Sequence, residues 1–559
     1  MKQMILLALG LMVFSLNAQS LQWAKQIAGT SSGHTMAIDA AGNVYTLGTF
    51  RYTADFDPSV NTYNMTSNGE GDIFITKFDA IGNFIWALQL GAQYYNDIPG
   101  NIAFDSNGNI VVAGSFQGTI DLDPGVGEHM VTTEGKEAFL VKLDTNGNLL
   151  WATHWGGNDY LAQNNVYTVV LDGADNIIIG GGFFGTNDLD PGAGTFTVSV
   201  ASYEDAYLSK LDANGNFLWA ITIGGDSPWN DQVNAVAVDD SGNITFGGKF
   251  YGNVPAYNLT GNGNFYIKLD ASGNLVWSKQ TTGSGSILTV TSLKIDADNN
   301  TYITGGYLGT CDFDPGAGVY NLSSSGGYID IFILKLNAAG DFVWATGFGG
   351  EDGLDTSKSI ELDGQGYLYV TGHYKGTADF APGTEEFLMT PIGHIDMFLL
   401  KLDTDGNFEY ANTFGSAPNG DTIGHSVHAQ GNGTVFLTGS FQNTTDFDPS
   451  GGVYNLISTG GDNCFMLKLN GDPLGITKNN LLPISLYPNP SKGSFTVDLG
   501  KEFQNATVEI SNMMGQIISS EKYSSVKTIT QQINASAGIY FVKVSTAKEG
   551  SNTLRIIKQ

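Results

Sequence analysis

Cysteine is nearly absent: Cys311 and Cys464 are the only two in 559 residues. So few thiols, so far apart, exclude a disulfide framework and a cysteine-based metal cluster, and they read as partly buried free thiols. Basic residues are also scarce, 25 Lys and Arg against 55 Asp and Glu, for a net charge of −30. Such a chain repels phosphate backbones and anionic lipid, which excludes nucleic acid as a partner. Beyond the N terminus no apolar run approaches the about 20 residues of a spanning helix. Phosphate-binding Walker and dinucleotide fingerprints are missing. Gly29-Thr-Ser-Ser-Gly33 matches the G-x-S-x-G pattern of a nucleophile elbow, but it lies in a Gly-rich loop between strands rather than a strand-to-helix turn. The seven histidines are scattered, and only His425 and His428 are close, with no third ligand indicated.

What is present is 42% apolar and 11% aromatic residues with 74 glycines. Without a collagen period, that mixture predicts an all-β chain of short strands and tight turns. Residues 1–18 read as a secretory signal peptide: Lys2 supplies the positive start, Met4 to Leu16 the apolar region, and Leu16-Asn17-Ala18 the cleavage site, so the mature chain begins near Gln19.

One pattern recurs about every 66 residues. Its Trp-Ala step falls at Trp23, Trp86, Trp151, Trp219 and Trp344, with Trp277-Ser and Tyr410-Ala as variants. Its Lys falls at Lys77, Lys142, Lys210, Lys268, Lys335, Lys401 and Lys468. In the first copy we expect strand a at 36–39, b at 44–50, c at 73–78 and d at 84–90. Asp39-Ala-Ala-Gly-Asn43 and Asp79-Ala-Ile-Gly-Asn83 are tight turns whose Gly and Asn tolerate positive φ. Four strands repeated seven times predict a seven-bladed β-propeller over residues 19–470. The chain enters in a d strand at Trp23 and leaves after a c strand near Leu469, so the N-terminal strand is expected to complete the last blade.

These units resemble the SBBP family of bacterial β-propeller repeats, through Ala37-Ile-Asp39, Gly42-Asn-Val-Tyr-Thr-Leu-Gly48 and Ile75-Thr-Lys77-Phe-Asp79. The resemblance implies fold and says almost nothing of activity.

The b-to-c and d-to-a connections are long and share one face. The b-to-c connection carries Asp55-Phe-Asp57-Pro58, Asp121-Leu-Asp123-Pro124, Asp188-Leu-Asp190-Pro191, Asp312-Phe-Asp314-Pro315 and Asp446-Phe-Asp448-Pro449, with degraded forms at Asp379-Phe-Ala381 and Asn253-Val-Pro255. Paired carboxylates with loop carbonyls suit a hard cation such as Ca²⁺. The competing reading is structural: the middle Phe or Leu anchors the loop, the first Asp caps a turn and Pro ends the strand. The d-to-a loops vary, as in Gln93-Tyr-Tyr-Asn-Asp97 and Asp226-Ser-Pro-Trp-Asn230, and supply material for carbohydrate or protein recognition.

After a linker at 471–483 the character changes: residues 484–559 hold 8 basic and 5 acidic residues, leaving 17 and 50 before them. Leu486-Tyr487-Pro488-Asn489-Pro490, Gly493, the turn at Gly515, the strand from Gly538 through Tyr540 and a terminal strand ending at Lys558 follow in order. This order resembles the type A C-terminal sorting domain of type IX secretion. The resemblance implies a small β-sandwich recognised by the outer-membrane translocon, and a secreted or outer-surface destination with membrane association only by attachment after export. No residue set selects a reaction. A non-enzymatic binding or adhesion role, toward a glycan or surface protein, is the expectation, and an extracellular polysaccharide hydrolase using the same face is the alternative.

Overall fold

The computed structural model describes residues 19–157, 159–283, 288–381, 386–417, 419–470, 485–512, 516–546 and 550–559. The expected signal peptide, the linker at 471–483 and Gly515 lie outside the described residues. The chain divides into two compact units, Met1–Asp472 and Pro473–Gln559.

The larger unit is β, with antiparallel pairing within each repeat and isolated parallel contacts such as Lys136 with Gln163; among the described residues the only helical turn is the 3-10 segment Pro255–Tyr257. In the first repeat, strands a to d are Ser31–Ile38, Val44–Phe50, Asp72–Phe78 and Phe84–Leu90, paired in that order. Strand a therefore starts five residues earlier than expected from the alternation at 36–39, because the Gly-rich loop joins the ladder. The b-to-c connection is itself ordered, as the hairpin Thr53–Asp55 with Asn64–Thr66.

The inner strands follow one another in space. Ser31–Ile38 packs on Ile98–Phe104, then come Gln163–Leu171, Gln232–Val238, Leu288–Ile295, Thr356–Leu362 and Thr422–Ala429, which packs back on Ser31–Ile38. The N-terminal strand Leu21–Ile27 pairs antiparallel with Asn463–Leu469, filling the d position of the last repeat. This hydrogen bonding between the two ends of the body removes an open sheet edge.

The recurring motifs have physical roles at the junctions. In each turn the Asp carboxylate takes the loop amides, as Asp39 Oδ1 does from Ala41 and Asn43, both at 2.9 Å. The strand-c lysines Lys142, Lys210 and Lys268 bond that Asp, and strand-c lysines reach into the next repeat. Lys142 Nζ lies 2.9 Å from Asp105 Oδ2 and donates to the carbonyl of Ala213 at 3.2 Å. Lys77 reaches Thr145, Lys210 reaches Ala271, Lys335 reaches Thr404, and Lys468 returns to Ala80 in the first repeat. The Trp of strand d packs on the following repeat's c-to-d turn. At Gly82, φ is +83°, and a Cβ would come within 2.9 Å of Trp23, so both turn and close approach require glycine.

Burial is otherwise apolar, with clusters between successive repeats such as Tyr45, Ile75, Val112 and Phe139. Both cysteines are free and buried, and burial pushes their thiols up to about 11 at Cys311 and about 12 at Cys464, which makes them unreactive. Three junctions bury pairs of carboxyl groups: Asp72 with Asp97, Asp205 with Asp231, and Asp330 with Asp355. Burial raises all six; Asp97 reaches about 8, Asp231 and Asp355 about 7, Asp205 and Asp330 about 6. At Asp97, Asp231 and Asp355 the paired carboxylate adds to the shift.

The second unit is a five-stranded sheet built from Ser485–Tyr487, Ser494–Asn512, Ile517–Gln532, Gly538–Thr546 and Gly550–Lys558. Ser494–Asn512 is one long element whose register breaks between Asp498 and Phe503. Phe495, Val508, Ile510, Val542 and Ile556 form its core.

Two outcomes test these junctions. Lys142→Met strands the Asp105 carboxylate, whose side chain is 2% exposed, at a cost of about 3–5 kcal/mol by chemical denaturation, and adding Asp105→Asn recovers most of it. The paired carboxyls bind protons in the native state that the unfolded chain releases above its ordinary pKa of 3.8. Their stabilisation is complete below that value and is lost as pH rises through about 6 to 8. The denaturation midpoint should fall between about pH 5 and pH 9, with a shallower fall in Asp97→Asn; a rise over that interval contradicts the pairing.

Candidate functional site

Every inner strand carries a β-bulge at the same place. The ladder skips between Gly33 and Thr35, Pro99 and Ile102, Val166 and Thr168, Val233 and Ala235, Val290 and Ser292, Ser357 and Ser359, and Gly424 and Ser426. The extra residues are His34, Gly100-Asn101, Tyr167, Asn234, Thr291, Lys358 and His425. A bulge re-aims a side chain and is over-represented beside functional sites. All of these residues line one central cavity of about 420 Å³. The bulges fall in the first half of each inner strand, toward the end where the long d-to-a loops enter.

Titratable groups gather on two sides of this cavity. On one, His34 and His425 face each other with ring centroids 5.5 Å apart, and His425 Nδ1 lies 2.8 Å from the carbonyl of Gly33. His34 keeps part of its ring open to the channel, yet the enclosing walls displace bulk water and, with Lys358, lower it to about 4. Burial likewise lowers His373 to about 4 and His425 to about 3, and Lys358 contributes to both. On the other side, behind the cavity-lining Tyr167, the buried Glu204 carboxylate accepts from Gln232 at 2.6 Å, Asn165 at 2.8 Å and Tyr167 at 2.9 Å. Burial, then Glu204, push the Tyr167 hydroxyl above its ordinary value, so it stays a donor. A cleft of about 250 Å³ connects this network with Tyr203.

Aromatic side chains stand on the loop-rich face: Tyr52 is 75% exposed, Tyr94 81%, Tyr203 47% and Trp229 61%. The three tyrosines hold φ of +61°, +75° and +68°. A bulky residue in that left-handed region is strained, and such strain collects at functional sites.

The Asp-x-Asp-Pro loops share one construction. The middle residue, Phe56, Leu122, Leu189, Phe313 or Phe447, is buried. Oδ1 of the first Asp accepts two loop amides: Asp121 takes Asp123 at 2.9 Å and His129 at 2.7 Å, and Asp55, Asp188, Asp312 and Asp446 do the same with their own loops. Oδ1 of the second Asp takes the amide two residues on, at Asp57, Asp123, Asp190, Asp314 and Asp448. Oδ2 of Asp123 fills the space of a Cβ at Gly127, at 2.1 Å. Among the described residues no three His, Cys, Asp or Glu side chains gather as a metal-holding group.

In the second unit, the two ends of the expected sorting signal come together. Asn489, within the exposed Tyr487-Pro488-Asn489-Pro490 segment, donates to the Arg555 carbonyl at 2.8 Å and accepts from the Ile557 amide at 2.9 Å. Lys558 Nζ donates to the carbonyls of Ile533 and Ala535 beside Gly493. Gly538 opens a strand in which Tyr540 is buried and donates to the Ser536 carbonyl at 2.6 Å.

The repeat architecture defines a β-propeller repeat protein, and residues 85–115 match the family model described as beta-propeller repeat, the SBBP type. The chain also carries a secretion system C-terminal sorting domain, matched over residues 485–559, which marks it for export by type IX secretion to the cell surface or beyond. An uncharacterized WD repeat-containing protein, L264, of Acanthamoeba polyphaga mimivirus is 23% identical over 507 residues, 75% of this chain and 36% of that protein. The regulatory protein FlaEY of Caulobacter vibrioides is 26% identical over 224 residues, 39% of this chain and 22% of that protein. The chain thus spans about a third or less of the curated relatives it matches. Dimeric latent PorU from Porphyromonas gingivalis is a solved structure 11% identical with a TM-score of 0.12, covering 83% of this chain and 32% of that one.

Proposed function

We propose that residues 19–470 form a seven-bladed β-propeller, that residues 484–559 form a small β-sandwich recognised by the type IX translocon, and that the exported body is a non-enzymatic binding or adhesion module. The blade count is supported by the closed succession of inner strands and by the N-terminal strand that completes the last repeat. The ligand we favour is a glycan displayed outside the cell. One observation carries this reading: exposed Tyr52, Tyr94 and Tyr203 stand in strained backbone on the face where Trp229 is also exposed. Aromatic rings offer large contact area at low entropic cost, and sugars present apolar faces to stack on them. In the same proposal the Asp-x-Asp-Pro loops are staples rather than cation sites, since their carboxylates already serve the loop amides.

A glycan array probed with the exported chain should give hits that weaken at least about tenfold in the Tyr94→Ala/Trp229→Ala variant, with its melting midpoint unchanged. Array silence together with capture of a surface protein would move the ligand class, and release of sugar product from a hit would favour the hydrolase reading. For the loops, the melting midpoint should be the same in EGTA and in millimolar Ca²⁺, while Asp121→Ala costs about 1–3 kcal/mol; a clear rise with Ca²⁺ would restore the cation site.

A further inference from the structure

Lys358 is the anomaly of the channel. It is the bulge residue of the strand Thr356–Leu362, it lines the central cavity and it is largely enclosed by protein. Among the described residues its ammonium has neither a hydrogen-bonding partner nor an ion-pair partner. The contrast lies within the same channel: Lys294 pairs with Glu361 at 2.8 Å. In a chain carrying −30 overall, a lysine without a carboxylate is conspicuous. An enclosed, uncompensated charge is unfavourable, and an anion that supplies the missing partner removes that cost.

The surroundings restrict what that anion can be. The strand of Lys358 packs on Thr422–Ala429, which carries His425; His425 faces His34, all three line the cavity, and His373 holds a buried Nδ1 without a hydrogen-bond partner among the described residues. The carboxylates around the channel are already committed: Glu361, in its lining, pairs with Lys294 at 2.8 Å. Asp421 pairs with His394 at 2.9 Å, and Glu204 is held by Gln232, Asn165 and Tyr167. The remaining bulge residues, Asn101, Tyr167, Asn234 and Thr291, are neutral donors and acceptors suited to hydroxyl groups. At about 420 Å³ the cavity is at the lower end of small-ligand sites.

We propose that the mouth of the central channel binds an anionic sugar, with the carboxylate of a uronic acid, or the sulfate of a sulfated sugar, seated on Lys358 between His34 and His425, and with the sugar hydroxyls directed to the neutral bulge residues. This rests on the glycan reading above and narrows it. The anion completes the charge that the fold leaves open, while the exposed rings of Tyr203 and Trp229 serve the neighbouring sugar units of a chain.

Calorimetric titration of the exported full-length chain with oligogalacturonate, a sulfated galactan oligosaccharide and a neutral galactan oligosaccharide of equal length tests it. The anionic sugars should bind at least about tenfold more tightly than the neutral one, in keeping with a charge-assisted contact. Lys358→Met should abolish that preference, Lys358→Arg should retain it, and His34→Gln should reduce it without changing binding of the neutral sugar. Preference for uronate alone assigns a carboxylate site, and preference for both anions assigns a general one; either supports the proposal. Equal affinity for anionic and neutral sugars, or a preference that survives Lys358→Met, overturns it while leaving the glycan reading intact. Binding of no sugar at all overturns both.

Discussion

The body of this protein depends on a lysine that belongs to two repeats at once. In strand c its ammonium reaches a carbonyl in the c-to-d turn of the next repeat, and at Lys142 and Lys210 it also bonds the Asp of its own a-to-b turn, Asp105 and Asp172. Burying a single charge is costly, so the contact is worthwhile only if every partner is in place. That condition makes each repeat incomplete without its neighbour. The bond from Lys468 back to Ala80 applies the same requirement across the ends of the body, and Trp23 packing on Gly82 repeats it in apolar form. Stability in such an array comes from neighbouring interfaces more than from any one sheet.

The junctions are not uniform. Three of them bury acid pairs, whereas the second repeat's Glu137 pairs with His154 at 2.6 Å, and Asn463 stands buried where other copies have Asp72 or Asp205 at the start of strand c. An amide has the shape of a protonated carboxyl, so the exchange is what a site holding a proton tolerates. The scaffold thus accepts either form at this position, provided the group is neutral enough to be buried.

Much of the scaffold was legible because its chemistry repeats. The Asp-x-x-Gly-Asn turns, the strand-c lysines and the Trp-Ala steps each mark a contact made in almost every copy, and strands b and d fall at 44–50 and 84–90 as their turn signals imply. The ordered motifs of the tail were legible in the same way, although nothing in their order reveals that Asn489 and Lys558 meet at the two ends of one sheet. The channel was not legible. A bulge leaves no composition signal: His34, Asn101 and Lys358 share no residue type, and the alternation on each side of them continues as if no residue had been added. Their grouping depends on ring closure, which brings together residues as far apart in sequence as His34 and His425.

That lack of signal is informative once the register is known. Within one chain the repeats act as internal controls, since positions that serve the scaffold keep their chemistry from copy to copy. The junction lysine stays lysine, and the anchor of the b-to-c loop stays apolar, Phe or Leu in six copies and Val254 in the fourth. The bulge falls at the same place in every copy, with one extra residue in six and two in the second, yet it presents imidazole, amide, phenol, hydroxyl and ammonium around the ring. A demand of the fold would have produced sameness there. Position held constant while chemistry varies is the arrangement expected of an asymmetric ligand at the centre of a symmetric frame, the seven repeats offering it five kinds of group.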